Sequence, residues 1–454
     1  MAQASPRRSK QALTSRDGDT AQGLRRAASQ ALWRQRWAIG FGVALAFGIA
    51  FRLVWPLDME WKGDEIWTFE HVREFWQTHA LAPFGMGSSA GLPNAGLSLW
   101  AFIGLSALLP VLDPVALAQA VALTNVAAIL LLALFARFIV TREEREAWLW
   151  STVLVAVNPL AVLFSRKIWP PDILPLFTVA LLWVWWKRER WWGAFAWGAL
   201  GALLGQVQLC GFFFAAAFVG ATALFDRKTV RWRGWLIGSL LGALPLIPWL
   251  VAIVKLHPPV ESANLAALLT ADFYQHWLAL ALGLDLHYAL GNDFHRFLAY
   301  PELLGWPTYL GGAFLGLVVA CFATILLRFT LRLRRDATRI AERIFAASSS
   351  TALAVNAAFW GYGLLLTATA RPVYLHYLVI AFALPALWLA WLERANAGDA
   401  PEAAALSRRL LASLVVAEAC LTVLFLLFIH DTQSIAGDYG TAYGAQTHES
   451  APAP

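Results

Sequence analysis

The sequence predicts an all-α polytopic membrane protein. It has about eleven transmembrane helices and further helices on the outer membrane surface. Three observations predict this class. Of 454 residues, 59% are hydrophobic and only 14% are charged, against roughly 25% charged in a soluble domain. Apolar runs of helix length recur from Trp37 to His430, with no sustained strand alternation of the barrel kind. Lys and Arg gather in short stretches between those runs, as the orientation of membrane helices requires. The net charge of +6 therefore reflects orientation and does not point to nucleic acid. Mean hydropathy is +0.57.

In chain order, residues 1–36 are polar and rich in arginine, which predicts a disordered cytoplasmic tail. No small-residue cleavage site follows the first apolar segment, so a signal peptide is not expected. The apolar segments are 37–55, 115–140, 147–165, 173–186, 191–207, 209–225, 234–255, 308–327, 345–369, 373–392 and 410–430. Six arginines between Arg328 and Arg343 give the strongest cytoplasmic marker. Arg137, Arg142, Arg145, Lys187, Arg188, Arg190, Arg227, Arg231, Arg394, Arg408 and Arg409 fall on the same side if all eleven segments cross. Segments 173–186 and 191–207 are short for a span of about 20 residues, and short helices often line a cavity. The run 97–112 is apolar but ends at Pro110 and Pro114. It is expected to be re-entrant or interfacial on the outer side, within a first external loop spanning 56–114. A second external loop, 256–307, mixes aromatic and polar residues, including His257, His276 and Tyr288. It reads equally as a lid or as a connector. The tail 431–454 is polar and has no assignment. Cys210, Cys321 and Cys420 lie in apolar segments and read as packing residues. No internal repeat is visible, which weakens a transporter of duplicated halves.

The candidate chemistry lies in three clusters that share the outer face under this topology. The first is Asp64-Glu65, just after the first apolar segment and preceded by Gly63. Adjacent carboxylates beside a membrane span are costly unless they face water or a partner. Residues 66–80 carry Ile66, Trp67, Phe69, Val72, Phe75 and Trp76 at near-helical spacing, predicting an interfacial amphipathic helix. The second cluster is Ser165-Arg166-Lys167-Ile168-Trp169-Pro170-Pro171-Asp172. Here Arg166 and Lys167 are either site cations or snorkelling anchors, and Asp172 is either a site acid or a helix cap. The third is Arg371-Pro372-Val373-Tyr374-Leu375-His376-Tyr377. Arg371 is either a site cation or an anchor, and His376 a site residue or a satisfied buried histidine. A carboxylate can take a proton from an acceptor hydroxyl, and cations can hold a phosphate leaving group. Trp and Tyr can stack on a sugar ring. Gln206 and Gln208 read equally as site lining or hairpin polarity. No Walker loop, His-Glu-x-x-His or Gly-x-Ser-x-Gly motif is present.

With these residues in order, the sequence resembles the GT-C superfamily of membrane glycosyltransferases. The branch is that of protein O-mannosyltransferases, aminoarabinose transferases and RgtA/B/C/D-like proteins. The resemblance rests on Asp64-Glu65, on Asn158-Pro159 with Ser165-Arg166 and Pro171-Asp172, and on His376-Tyr377 with Pro385. It spans roughly residues 37 to 392. It implies a helical bundle with an outward-facing cavity in a bacterial inner membrane. It also implies a polyprenyl-phosphate sugar donor and a lipid, glycan or protein acceptor. Carried over, Asp64 is the catalytic base and Glu65 its neighbour in catalysis. Arg166, Lys167, Asp172, Arg371, His376 and Tyr377 are candidates for substrate binding. Relatives often carry Thr-Lys after a Gly-rich helix where this chain has Gly205-Gln206-Val207-Gln208, which puts phosphate binding by that helix in doubt. No cofactor is expected, since no ligand cluster demands a metal; a divalent ion stays open. The competing readings are a flippase for lipid-linked saccharides and a scaffold without chemistry.

Overall fold

The computed structural model describes residues 37–449 except 90, 257–263, 346–348 and 399. The N-terminal tail and His257 lie outside the described residues. Each of the eleven expected apolar segments contains helix. In order, the first elements are α1 (Trp37–Leu53), α2 (Gly63–Thr78), α3 (Leu97–Ser106), α4 (Pro114–Phe138) and α5 (Arg145–Val157). Next come α6 (Leu174–Trp185), α7 (Trp191–Val207), α8 (Cys210–Phe225), α9 (Trp232–Leu256) and α10 (Asp272–Leu282). The last are α11 (Leu310–Arg335), α12 (350–367), α13 (Leu384–Ala397) and α14 (Pro401–Thr432). Among the described residues, only α4, α9, α11 and α14 are both long and apolar enough to cross a membrane unaided. A fifth span forms if the 3-10 turn Leu375–Ala381 is counted with α13, from which it is bent by 68°. The count of eleven full spans is therefore larger than helix length alone supports.

The shorter helices are broken by identifiable residues, and buried side chains satisfy the exposed backbone. Pro159 has no N–H to offer the Val155 carbonyl, so α5 ends there. Arg52, fully buried in α1, donates to the carbonyls of Val155 at 3.2 Å and Ala156 at 2.7 Å. The Asn158 side chain then caps the short helix that follows, accepting from the Ala161 N–H at 3.1 Å. At the second break, Phe382 takes a positive φ of 42°. Ser151 and Thr178 donate to the freed carbonyls of Ala383 and Ile380 at 2.7 and 2.6 Å. Irregular backbone at membrane depth needs such partners.

Ion pairs sort the connections into two ends. At one end Arg188 pairs with Asp226 at 2.6 Å and Arg408 with Glu146 at 2.6 Å. Arg328 pairs with Glu393, and Glu144 accepts from Thr351 at 2.7 Å. These are the arginine-rich connections expected to share one side. The opposite end carries loop 54–113, residues 164–172, loop 264–307 and the stretch after α14.

At that opposite end α2 begins at Gly63, so Asp64 and Glu65 form its first turn. The Asp64 carboxylate there suits the helix dipole. Its buried stripe is Glu65, Thr68, Phe69 and Val72. The hairpin β1 (Phe84–Gly87) and β2 (Pro93–Ala95) follows. Helix α3 has ten residues, a rise of about 15 Å, half of a hydrocarbon core. It packs on α2 and α7, with Trp76 donating to Ser106 at 2.8 Å. Loop 264–307 is structured by α10, two short helices and the hairpin β3 (Glu302–Leu303) and β4 (Trp306–Pro307).

The stretch after α14 is not a loose tail. Glu60 and Ala442 form an antiparallel bridge, and the Tyr443 N–H donates to the Met59 carbonyl at 3.1 Å. Gln446 reaches the Trp61 carbonyl at 2.8 Å, and the Tyr439 hydroxyl donates to the Asp58 carbonyl. Residues 433–446 thus form a strap across the base of α2.

Candidate active site

A cavity of about 450 Å³ opens at this end of the bundle. Five stretches of the chain wall it. The first turn of α2 contributes Asp64, and the β1–β2 hairpin contributes Met86, Ser88, Ser89, Leu92 and Asn94. The loop before α6 contributes Trp169, Pro170 and Pro171. The α7–α8 turn and the segment after α12 contribute Gln208, Cys210, Phe213, Arg371, Val373, His376 and Tyr377. The expected site residues Asp64, Arg371, His376 and Tyr377 therefore meet on one cavity. Loop 264–307 contributes no described residue to the lining. Its described part packs behind the wall: Trp277 is fully buried, and the His276 ring lies 3.0 Å from the Val373 carbonyl. No described residue within α6 or α7 lines the cavity; the residues flanking them, 169–171 and 208–209, do.

The aromatic residues form a connected group. The His376 ring sits 4.9 Å from Trp169 and 4.7 Å from Tyr377, with Tyr374 stacked at 5.7 Å. The Tyr377 hydroxyl lies 2.6 Å from Ser89 Oγ, joining this group to the hairpin. The cavity wall thus combines aromatic faces, an exposed carboxylate at Asp64 and a guanidinium at Arg371.

Four expected site residues lie elsewhere. Arg166 does not reach the cavity. Its guanidinium donates to the carbonyls of Phe51, Val54 and Trp55 at 2.7, 2.7 and 2.9 Å. It closes the C-terminus of α1, whose last carbonyls have no helical partner. Glu65 is 1% exposed and one residue round the helix from Asp64, so it points behind the wall. Its Oε2 accepts from the Lys62 N–H at 3.3 Å, holding the helix start. Lys167 and Asp172 are buried beside it. Asp172 caps no helix, and its carboxylate oxygens have no hydrogen-bond partner among the described residues.

Together these residues make a charged nest behind Asp64. Lys167 Nζ lies 3.1 Å from Glu60 Oε2 and 4.4 Å over the Trp169 ring. Burial alone would lower the Lys167 pKa. The facing carboxylates of Glu60, Glu65 and Asp172 outweigh that and hold it above the ordinary lysine range. Burial pushes the Glu65 carboxyl up to about 8, against the pull of Lys167. Lys62 bridges Glu60 at 2.7 Å and Asp438 of the strap at 2.8 Å. This bridge holds Asp438 below the usual carboxylate range despite its burial. Glu60 and Asp438 were not singled out in the sequence. The only local signal was Glu60 two residues before Lys62, and nothing near Asp438 points to a partner 376 residues away. Among the described residues, no set of three His, Cys, Asp or Glu side chains is arranged to hold a metal ion.

No family model matches the chain, and no curated protein does. Among solved structures, the Archaeoglobus fulgidus oligosaccharyltransferase in its apo form is similar. It is 14% identical, with a TM-score of 0.44. The match covers 88% of this chain and 56% of that one. The chain thus spans a little over half the length of that protein.

Proposed function

We propose that the chain is a membrane glycosyltransferase. It moves a sugar from a polyprenyl-phosphate donor to a hydroxyl of a lipid, glycan or protein acceptor. The reaction takes place on the outer face of a bacterial inner membrane. One observation carries the reading. Asp64, Arg371 and the Trp169–His376–Tyr377 aromatic group wall the same cavity at the end of the bundle away from the arginine clusters. In this reading Asp64 takes the proton from the acceptor hydroxyl. The acceptor oxygen bonds to the anomeric carbon as the carbon–oxygen bond to phosphate breaks. The phosphate leaves with the bonding electron pair, beside Arg371. The aromatic faces hold the sugar, and Leu92, Phe213 and Val373 offer apolar surface to the first isoprenoid units. Lys167 and the nest behind α2 fix the first turn that carries Asp64. The alternative, a flippase for lipid-linked saccharides, needs the same amphipathic cavity but no base.

The test is mass spectrometry of glycolipids and glycans from a deletion strain complemented with wild type or Asp64→Asn. Wild type should restore one missing sugar. Asp64→Asn should lower transfer by about 10²–10⁴-fold at equal expression, the usual contribution of general base catalysis. Full restoration by Asp64→Asn would remove the base and favour the flippase.

A further inference from the structure

Most neutral polar side chains on the cavity wall are already engaged. Asn94 donates to the Met86 carbonyl at 3.1 Å and accepts from the Leu209 N–H at 3.3 Å. Ser88 donates to the Leu92 carbonyl, and Thr369 to the Leu366 carbonyl at 2.7 Å. Ser89 and Tyr377 bond to each other. Gln208 differs. It is 7% exposed, it lines the cavity, and its buried Oε1 has no partner among the described residues. Its backbone is satisfied, since the N–H donates to the Leu204 carbonyl at 3.2 Å and the C=O accepts from Gly211 at 2.8 Å. The want of a partner is therefore confined to the side chain. Gln206, two residues earlier, makes a useful contrast. Its Oε1 is likewise without a partner among the described residues, but its amide nitrogen ties α7 to α9 through the Gly242 carbonyl at 2.7 Å, and it does not line the cavity where a ligand would sit.

A buried amide end without a hydrogen bond costs about 1–3 kcal/mol. That cost is removed if the cavity's ligand supplies the partner. The amide is neutral and presents both a donor and an acceptor end. A phosphate oxygen only accepts, whereas a hydroxyl donates and accepts, and so satisfies whichever end faces inward. The wall also already holds a cation for phosphate at Arg371. We propose that Gln208 is a specificity-determining residue, and that its side-chain amide hydrogen-bonds one ring hydroxyl of the transferred sugar. This rests on the glycosyltransferase reading above.

The experiment measures dissociation constants for the full chain in lipid nanodiscs by native mass spectrometry. The probes are polyprenyl phosphate without a sugar, a panel of polyprenyl-phosphoryl hexoses and pentoses, and their monodeoxy analogues. For the sugar that binds best, one deoxy analogue should bind wild type about tenfold or more weakly. Gln208→Leu should weaken the parent donor by a similar factor and leave bare polyprenyl phosphate unchanged. It should also no longer distinguish that deoxy analogue from the parent. The proposal is overturned if Gln208→Leu binds every probe as wild type does, as it would if water alone met the amide. It is equally overturned if all probes weaken together, which marks a structural role. If wild type prefers no sugar-bearing lipid to bare polyprenyl phosphate, this proposal and the glycosyltransferase reading both fall. If wild type prefers one and Gln208→Leu keeps that preference, only this proposal falls.

Discussion

At the scale of single residues, Asp64 and Glu65 are adjacent in sequence but differ in environment. One is exposed on a cavity wall, and the other is 1% exposed behind it. Neighbours on a helix point about 100° apart, so the sequence alone could not assign the pair to separate places. Glu65 supplies a pH-dependent prediction. Its folded pKa, about 8, lies above the ordinary value. The folded state therefore binds a proton that the unfolded chain releases, and stability falls as pH rises from about 4.5 to 8. Glu65→Gln cannot ionise and should lose this slope. Its stability relative to wild type should rise between pH 5 and pH 8, by at most about 1.4 kcal/mol per pH unit, and its relative melting temperature with it. A pH-independent difference in detergent-solubilised melting curves would reject the assignment. Arg371→Ala should raise the donor KM by about 10–100-fold, because a charge-assisted contact is lost. Arg371→Lys should recover part of that, since it keeps the charge and loses the fork. Steady-state kinetics with varied donor check both. Arg371, His376 and Tyr377 were legible because polar side chains opening an apolar span are unusual. Arg166 and Lys167 carried the same signal but lie off the cavity wall: the signal marks a special polar residue without saying whether backbone, a carboxylate or a ligand satisfies it.

At the scale of elements, apolar runs located the helices within a few residues. The breaks were harder to read. Residues 147–165 scanned as one segment, although Pro159 divides it, because its neighbours are as apolar as any helix interior. The bend at Phe382 has no glycine or proline at the turning residue. The β1–β2 hairpin was missed because its Gly, Pro, Asn and Ser residues read only as loop. One helix contact gives a sharp test. Helices α7 and α9 approach through glycines. A Cβ on Gly238 would sit 1.9 Å from the Phe195 carbonyl oxygen, and one on Gly198 2.1 Å from that of Trp235. Close backbone approach through small residues is a common mode of membrane helix packing. Gly238→Ala should therefore lower stability by about 1–3 kcal/mol. Gly220→Ala on α8, with nothing within 4 Å of its Cβ, should stay within about 0.5 kcal/mol. Thermal melts of the two variants in one detergent decide it. Equal melting temperatures would show that α7 and α9 can part without cost.

At the scale of the whole molecule, the two ends of the bundle differ in chemistry, and this predicts an orientation. With Cys210, Cys321 and Cys420 replaced, a cysteine at His79 should react with a membrane-impermeant maleimide in intact cells. Cysteines at Arg227 and Arg335 should react only after lysis. Labelling of Arg335→Cys in intact cells would invert the topology. The charge pattern carried this level of organisation because it repeats at every connection. The strap was illegible for the opposite reason. Lys62 and Asp438 are paired across nearly the whole chain, and no local periodicity encodes such a contact. The strap has a consequence for biogenesis. Residues 433–446 follow α1–α14, so they leave the ribosome after those helices have been synthesised. Until they dock, the Met59 carbonyl, Lys62 and the Asp58 carbonyl have none of their strap partners. Bracing of the loop that carries Asp64 is thereby timed to follow the synthesis of α14. A nascent chain with α1–α14 in place but residues 433–446 not yet docked carries every cavity-lining residue without the brace beneath Asp64.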